Sequence, residues 1–95
     1  MLSGTAEIYD FKCFQLPDRK EATIFFLLPE KSKVVLKINN ECDAEVRLLI
    51  NETLESANYE IAFLYGNLSA GNYSIKLIIQ TENIIDLNSL NIKIP

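Results

Sequence analysis

Glu41, Asp43 and Glu45 follow Asn39 and Asn40 closely and form a small group of oxygen donors. Several such oxygens are what Ca²⁺ requires. The spacing matches no recognised calcium loop, so the group reads as a solvated acidic loop and no metal is expected. Cys13 and Cys42 lie far apart in sequence and fit no metal-ligand spacing. They read as buried free thiols, and they pair only if the fold brings them together. The chain contains no histidine, which removes the usual general base and the commonest metal ligand together. With no Cys–His or Ser–His combination and no glycine-rich phosphate loop, no catalytic residue and no cofactor are expected. Two carboxylates doing acid–base work would need a cleft, which a small sandwich rarely offers. The expectation is a protein that is not an enzyme.

The elements that would position any site are strands. Residues 7–16 alternate, with Tyr9, Phe11 and Cys13 on one side and Ile8, Phe14 and Leu16 on the other; this predicts a first strand at an edge. Residues 22–28 are apolar on both faces and predict a second. Lys33 to Asn39 places Val34, Leu36 and Ile38 inward. Glu45 to Asn51 places Val46, Leu48 and Ile50 inward, with Arg47 and Leu49 outward. Tyr59, Ile61 and Phe63 share a face in a strand over residues 59–65. Residues 73–80 and 90–95 supply the last two strands, joined by a polar connection over 81–88. Period-two alternation marks half-buried strands, and seven short ones at regular turn spacing predict an all-β, immunoglobulin-like antiparallel sandwich. No window sustains a helical period.

The pattern Leu68-x-x-Gly71-x-Tyr73 is more specific. It predicts a tyrosine corner, in which a Tyr near the start of a late strand hydrogen-bonds back to the preceding turn. Gly71 would supply a close approach or an unusual φ.

Length and charge bound the rest. Ninety-five residues leave room for one core, so residues 1–95 are expected to form a single domain. A hydrophobic fraction of 48% argues against disorder. A net charge of −4 without a basic cluster excludes nucleic acid as an expected partner. No run of 18 apolar residues occurs, so no membrane span is expected. Asn51, Asn67 and Asn72 stand in Asn-x-Ser/Thr sequons, read as accidental in a chain of this composition.

The run Leu28 to Ile38 (Leu-Pro-Glu-Lys-Ser-Lys-Val-Val-Leu-Lys-Ile) is followed by Glu45-Val46, then Asn51 to Glu55 and Asn58 to Ile61. Asn67 to Tyr73 closes the series. In that order the motifs resemble the C-terminal sorting domain of proteins exported by the type IX secretion system, related to the immunoglobulin-like domain of flagellar hook-capping proteins. The resemblance spans about Ala22 to Gln80. It implies a seven-stranded sandwich serving as an export signal or spacer, without catalytic residues. Four departures stand out. The family's Asn-Pro segment survives only as Pro17, and two of its glycines are Asp43 and Ala57 here. Its basic end is replaced by Ile84 to Pro95, with Lys93 as the single lysine.

Outward-facing apolar residues are the remaining lead. If the sheets sort as in immunoglobulins, strands two, four and five share a sheet. Phe25, Leu27, Leu49 and Leu64 then share its solvent face. A contiguous exposed apolar patch usually marks an interface, so the expected partner is a protein: a neighbouring domain or a second copy in a homodimer. Scattered surface residues, or cover from residues 2–8 and 81–88, are the alternative. The functional expectation is a secretion sorting, spacer or assembly module that is extracellular, on the cell surface or periplasmic. The alternative is a stand-alone small sandwich for homo-oligomerisation or specific protein binding, cytoplasmic if the 95 residues are the whole protein.

Overall fold

Alternation with a period of two carries most of the architecture. The computed structural model describes residues 9–95, and seven strands account for most of them. They are β1 (Lys12–Leu16), β2 (Glu21–Leu28), β3 (Ser32–Asn39), β4 (Glu45–Leu54), β5 (Ala57–Leu64), β6 (Gly71–Gln80) and β7 (Ile85–Ile94). All neighbouring strands run antiparallel, in a three-stranded sheet ordered β1-β2-β5 and a four-stranded sheet ordered β4-β3-β6-β7. This is the expected all-β sandwich. The start of the expected first strand, residues 7 and 8, lies outside the described residues.

The inner faces meet in one core. Ile24, Phe26 and Leu28 from β2 lie against Val34, Leu36 and Ile38 from β3 and Ile75 and Leu77 from β6, all fully buried. Each such side chain contributes about 1.5–3 kcal/mol on burial. Phe26 stacks on Tyr59 with ring centroids 5.2 Å apart, which joins β2 to β5 on the core side.

One expected sheet assignment is corrected. β4 pairs with β3 and not with the β2–β5 sheet. The reason is local: residues 40–44 form a tight turn organised by Asn40. Its Oδ1 accepts from the backbone N–H of Cys42 and of Ala44, at 2.9 and 3.0 Å. Asp43 takes a φ of 61°, the left-handed region that Asp tolerates better than most residues. The turn folds the chain straight back along the edge of β3 that β6 leaves free, and β4 takes the place that variable-type immunoglobulin domains give to an added strand. The crossing happens later, through Glu55 and Ser56 between β4 and β5.

The facing of β4 also differs from expectation. The register with β3 slips twice, between Leu36 and Lys37 and between Ile38 and Asn39, leaving Leu49 and Val46 as extra residues. Such bulges reverse the alternation beyond them. Leu49 therefore packs against the core, while Leu48 opposite Lys37 and Val46 are exposed. Ile50 is buried as expected. Arg47 sits opposite Ile38 and reaches across the sandwich to donate from Nη1 to the Leu64 carbonyl at 2.8 Å.

The polar connection expected over residues 81–88 is also shorter. β7 begins at Ile85 and pairs with β6 without a break from Ile85–Gln80 to Ile94–Gly71. Continuous ladder pairing outweighs the weak strand preference of Asp86, Asn88 and Asn91.

A candidate protein-interaction face

The outer face of the three-stranded sheet is set by register. On β2, Ala22, Ile24, Phe26 and Leu28 point inward, which turns Glu21, Thr23, Phe25 and Leu27 outward. Opposite them stand Leu16, Phe14 and Lys12 from β1, and Leu64, Ala62, Glu60 and Asn58 from β5. Phe14, Leu16 and Leu64 are 57%, 47% and 64% exposed, and Leu27 is 36% exposed. The Phe14 and Phe25 rings meet edge to face with centroids 5.7 Å apart. This geometry stabilises an aromatic pair, and Phe14 remains largely exposed within it.

Three of the four residues expected on one face, Phe25, Leu27 and Leu64, do share it. Leu49 does not, because β4 lies in the other sheet and the bulge turns Leu49 to the core. Phe14 and Leu16 complete the patch. Their signal was the alternation Lys12-Phe14-Leu16, readable only once β1 is paired with β2. Residues 85–88 belong to β7 of the opposite sheet, and residues 81–84 form the turn that joins it to β6; residues 2–8 lie outside the described residues.

The opposite sheet carries an outward apolar row of its own, with Leu87 75% and Ile85 61% exposed. Val35, Ile78 and Leu87 are register neighbours there, with Ile85 beyond. Lys33, Lys37 and Lys76 interleave with them on the same side, which breaks the row into a mixed surface.

The corner residues adopt a definite geometry. The Tyr73 hydroxyl donates to the Ser69 carbonyl at 2.6 Å, and Gly71 between them has a φ of 151°. Leu68 packs partly buried against the core. Sequence reasoning missed a second latch of the same span: the Tyr59 hydroxyl donates to the Glu55 carbonyl at 2.6 Å. It holds the two-residue crossing between the sheets.

The acidic loop is occupied with its own hydrogen bonds. Asp43 Oδ1 accepts from Asn39 Nδ2 at 3.0 Å, and Glu41 Oε1 accepts from the Asn72 N–H at 3.1 Å. Beside it a broad, open concavity of about 640 Å³ is lined by polar residues including Asn72, Ser74, Asn91 and Lys93. Among the described residues no group of three or more acidic, Cys or His side chains is arranged to hold a metal.

Cys13 and Cys42 are free thiols. Cys13 is half-buried on β1, where burial raises its pKa, whereas Cys42 in the β3–β4 turn is exposed rather than buried. Tyr9 lies beneath β7, with its hydroxyl donating to the Asp86 carboxylate. Burial, then that hydrogen bond and the negative charge of Asp86, push its pKa up to about 12. Among the described residues no helix is long and apolar enough to cross a membrane.

Compared with known proteins, the chain matches no family model, no curated sequence and no solved structure.

Proposed function

We propose that this chain is a non-enzymatic β-sandwich module that acts by protein–protein contact through the outer face of β1, β2 and β5. The observation that carries the reading is the gathering of Phe14, Leu16, Phe25, Leu27 and Leu64 on one solvent-facing sheet. Apolar side chains of this size are worth about 1.5–3 kcal/mol each when fully buried. A contiguous group of them gives a partner reason to bind. The resemblance of residues 22–80 to the sorting domains of type IX secretion supports reading the module as a sorting signal or spacer of a secreted or cell-surface protein.

A second reading is favoured by β7. In the sorting family the corresponding end is basic, whereas here Ile92 and Ile94 are built into the core and Lys93 is the single lysine of the strand. That favours a stand-alone small sandwich used for homo-oligomerisation or for binding a specific protein.

The native polypeptide's mass and location in its host separate the two. A larger species outside the cytoplasm is expected for the sorting or spacer module; a free cytoplasmic species near 10.8 kDa would overturn it. The face itself is tested by Phe25→Glu combined with Leu64→Lys, which should abolish association while leaving the folded spectrum unchanged. Association that survives both substitutions would overturn the proposed face.

A further inference from the structure

The outer face of the three-stranded sheet is patterned in rows that read differently from its two sides. Across β1-β2-β5 the rows are Leu16–Glu21–Leu64, Phe14–Thr23–Ala62 and Lys12–Phe25–Glu60, with Leu27 beside Asn58 beyond them. β2 is the middle strand, so a half-turn about it exchanges β1 with β5 and lays each row on its own reverse. We propose that the face binds a second copy of this chain, with β2 over β2 and a twofold axis running along the strand. The proposal rests on the reading of this face as a docking surface and names its occupant.

Three matches favour that axis. Lys12 of one copy faces Glu60 of the other, and the pair occurs twice, as an isologous contact requires. Phe14 faces Ala62, a large side chain against a small one, which suits the spacing of about 10 Å between packed sheets. Leu16 faces Leu64, while Phe25 and Leu27 meet their own copies on the axis. A half-turn about a line across the strands, between Thr23 and Phe25, does worse. It sets Lys12 over Phe14 and Glu21 over Leu27, and both ion pairs are lost.

Two features act against the contact. Lys12 holds Asp10 at 3.3 Å in the single chain, but that pair is exposed and such pairs are weak enough to exchange. Glu21 meets its own copy on the axis. It stands in the end row of the face, where water reaches the pair and screens its repulsion.

Size sets the strength. Two strands of eight residues and one of five cover at most roughly 27 by 14 Å, below the roughly 800 Å² per partner of a standard stable interface. The dimer is therefore weak and rapidly exchanging, with a dissociation constant above about 1 µM.

Sedimentation of the full chain from about 1 µM to about 1 mM is expected to show monomers giving way to dimers. Lys12→Glu and Glu60→Lys should each weaken association at least about tenfold, which is about 1.4 kcal/mol. An equimolar mixture of these two variants should associate again, because each mixed dimer contains two opposite-charge pairs. Glu21→Gln should strengthen the dimer. A wild type that stays monomeric throughout, or a mixture that fails to recover, would overturn the twofold arrangement. A photoreactive phenylalanine analogue at position 27, used in the host, separates this failure from that of the docking surface. A product of twice the polypeptide's mass supports the second copy. A product with a different polypeptide overturns the second copy and keeps the face as a docking surface, and no product overturns both.

Discussion

The Tyr73 hydroxyl reaches back four residues to the Ser69 carbonyl at 2.6 Å, and Tyr59 makes the same reach to the Glu55 carbonyl at 2.6 Å. The two latches differ in setting. The first is partly buried at the entry to β6; the second is exposed at the crossing from β4 to β5. Tyr73→Phe should therefore cost about 1–2 kcal/mol and Tyr59→Phe about 0.5 kcal/mol. Urea denaturation of the two variants checks the order as well as the size. Equal losses would mean that burial of the latch is irrelevant.

Gly71 and Gly66 flank the same turn but differ in backbone. Gly71 has a φ of 151°, a region that side chains rarely adopt, and the Cβ of an alanine there would stand 3.5 Å from Glu41 Oε1, an ordinary contact. The strain is thus in the backbone, and Gly71→Ala should destabilise by about 1 kcal/mol or more. At Gly66 the nearest atom is Lys20 Cδ at 3.6 Å, and its φ is not positive. Gly66→Ala should leave stability unchanged or raise it by up to about 1 kcal/mol. Thermal melts of both variants provide the comparison.

Neighbouring leucines on β4 should respond in opposite ways. Leu49 occupies the bulge and packs on the core, whereas Leu48 is 47% exposed opposite Lys37. Leu49→Lys should lower stability by about 1–3 kcal/mol, while Leu48→Lys should lie within about 0.5 kcal/mol of wild type. Chemical denaturation decides it. The reverse order would restore the uninterrupted alternation.

Tyr9 gives the fold an alkaline limit. Burial and Asp86 raise its pKa in the folded chain from 10.0 to about 12. The unfolded chain therefore loses this proton first as pH rises. The stabilisation is complete below pH 10 and is lost as the pH climbs through about 12. Stability measured from pH 8 upward should fall over that window, and the fall should be shallower in Tyr9→Phe, where this proton is absent. Identical slopes would show that Tyr9 does not contribute.

The two thiols should label at different rates. Cys42 is exposed, and Cys13 is half-buried with a pKa raised by burial. Because the thiolate is the reactive form, alkylation followed by mass spectrometry should mark Cys42 well before Cys13 in the folded chain. The rates should converge in denaturant.

The sequence by itself determined the features that depend on neighbours along the chain. Alternation in residues 33–39 and 73–80 specifies strands with a definite inner face, and Val34, Leu36, Ile38, Ile75 and Leu77 are all buried there. Leu68, Gly71 and Tyr73 specify a corner because a four-residue reach is a local matter. Residues 22–28 are apolar on both faces, so the outward facing of Phe25 and Leu27 came from the expected immunoglobulin-like sheet order rather than from alternation. Tertiary structure alone decided where β4 goes and which way Leu49 points. Sheet membership depends on which strand edge the turn presents, and here the Asn40 turn folds β4 back onto the free edge of β3. The facing of Leu49 depends on a register slip against β3, and an unpaired strand carries no sign of it. The same holds for Phe14 and Leu16: their alternation is visible in the chain, but only pairing with β2 puts them beside Phe25 and Thr23. That juxtaposition, together with Lys12 and Glu60 on opposite flanks of Phe25, turns scattered apolar residues into a face with a symmetry of its own.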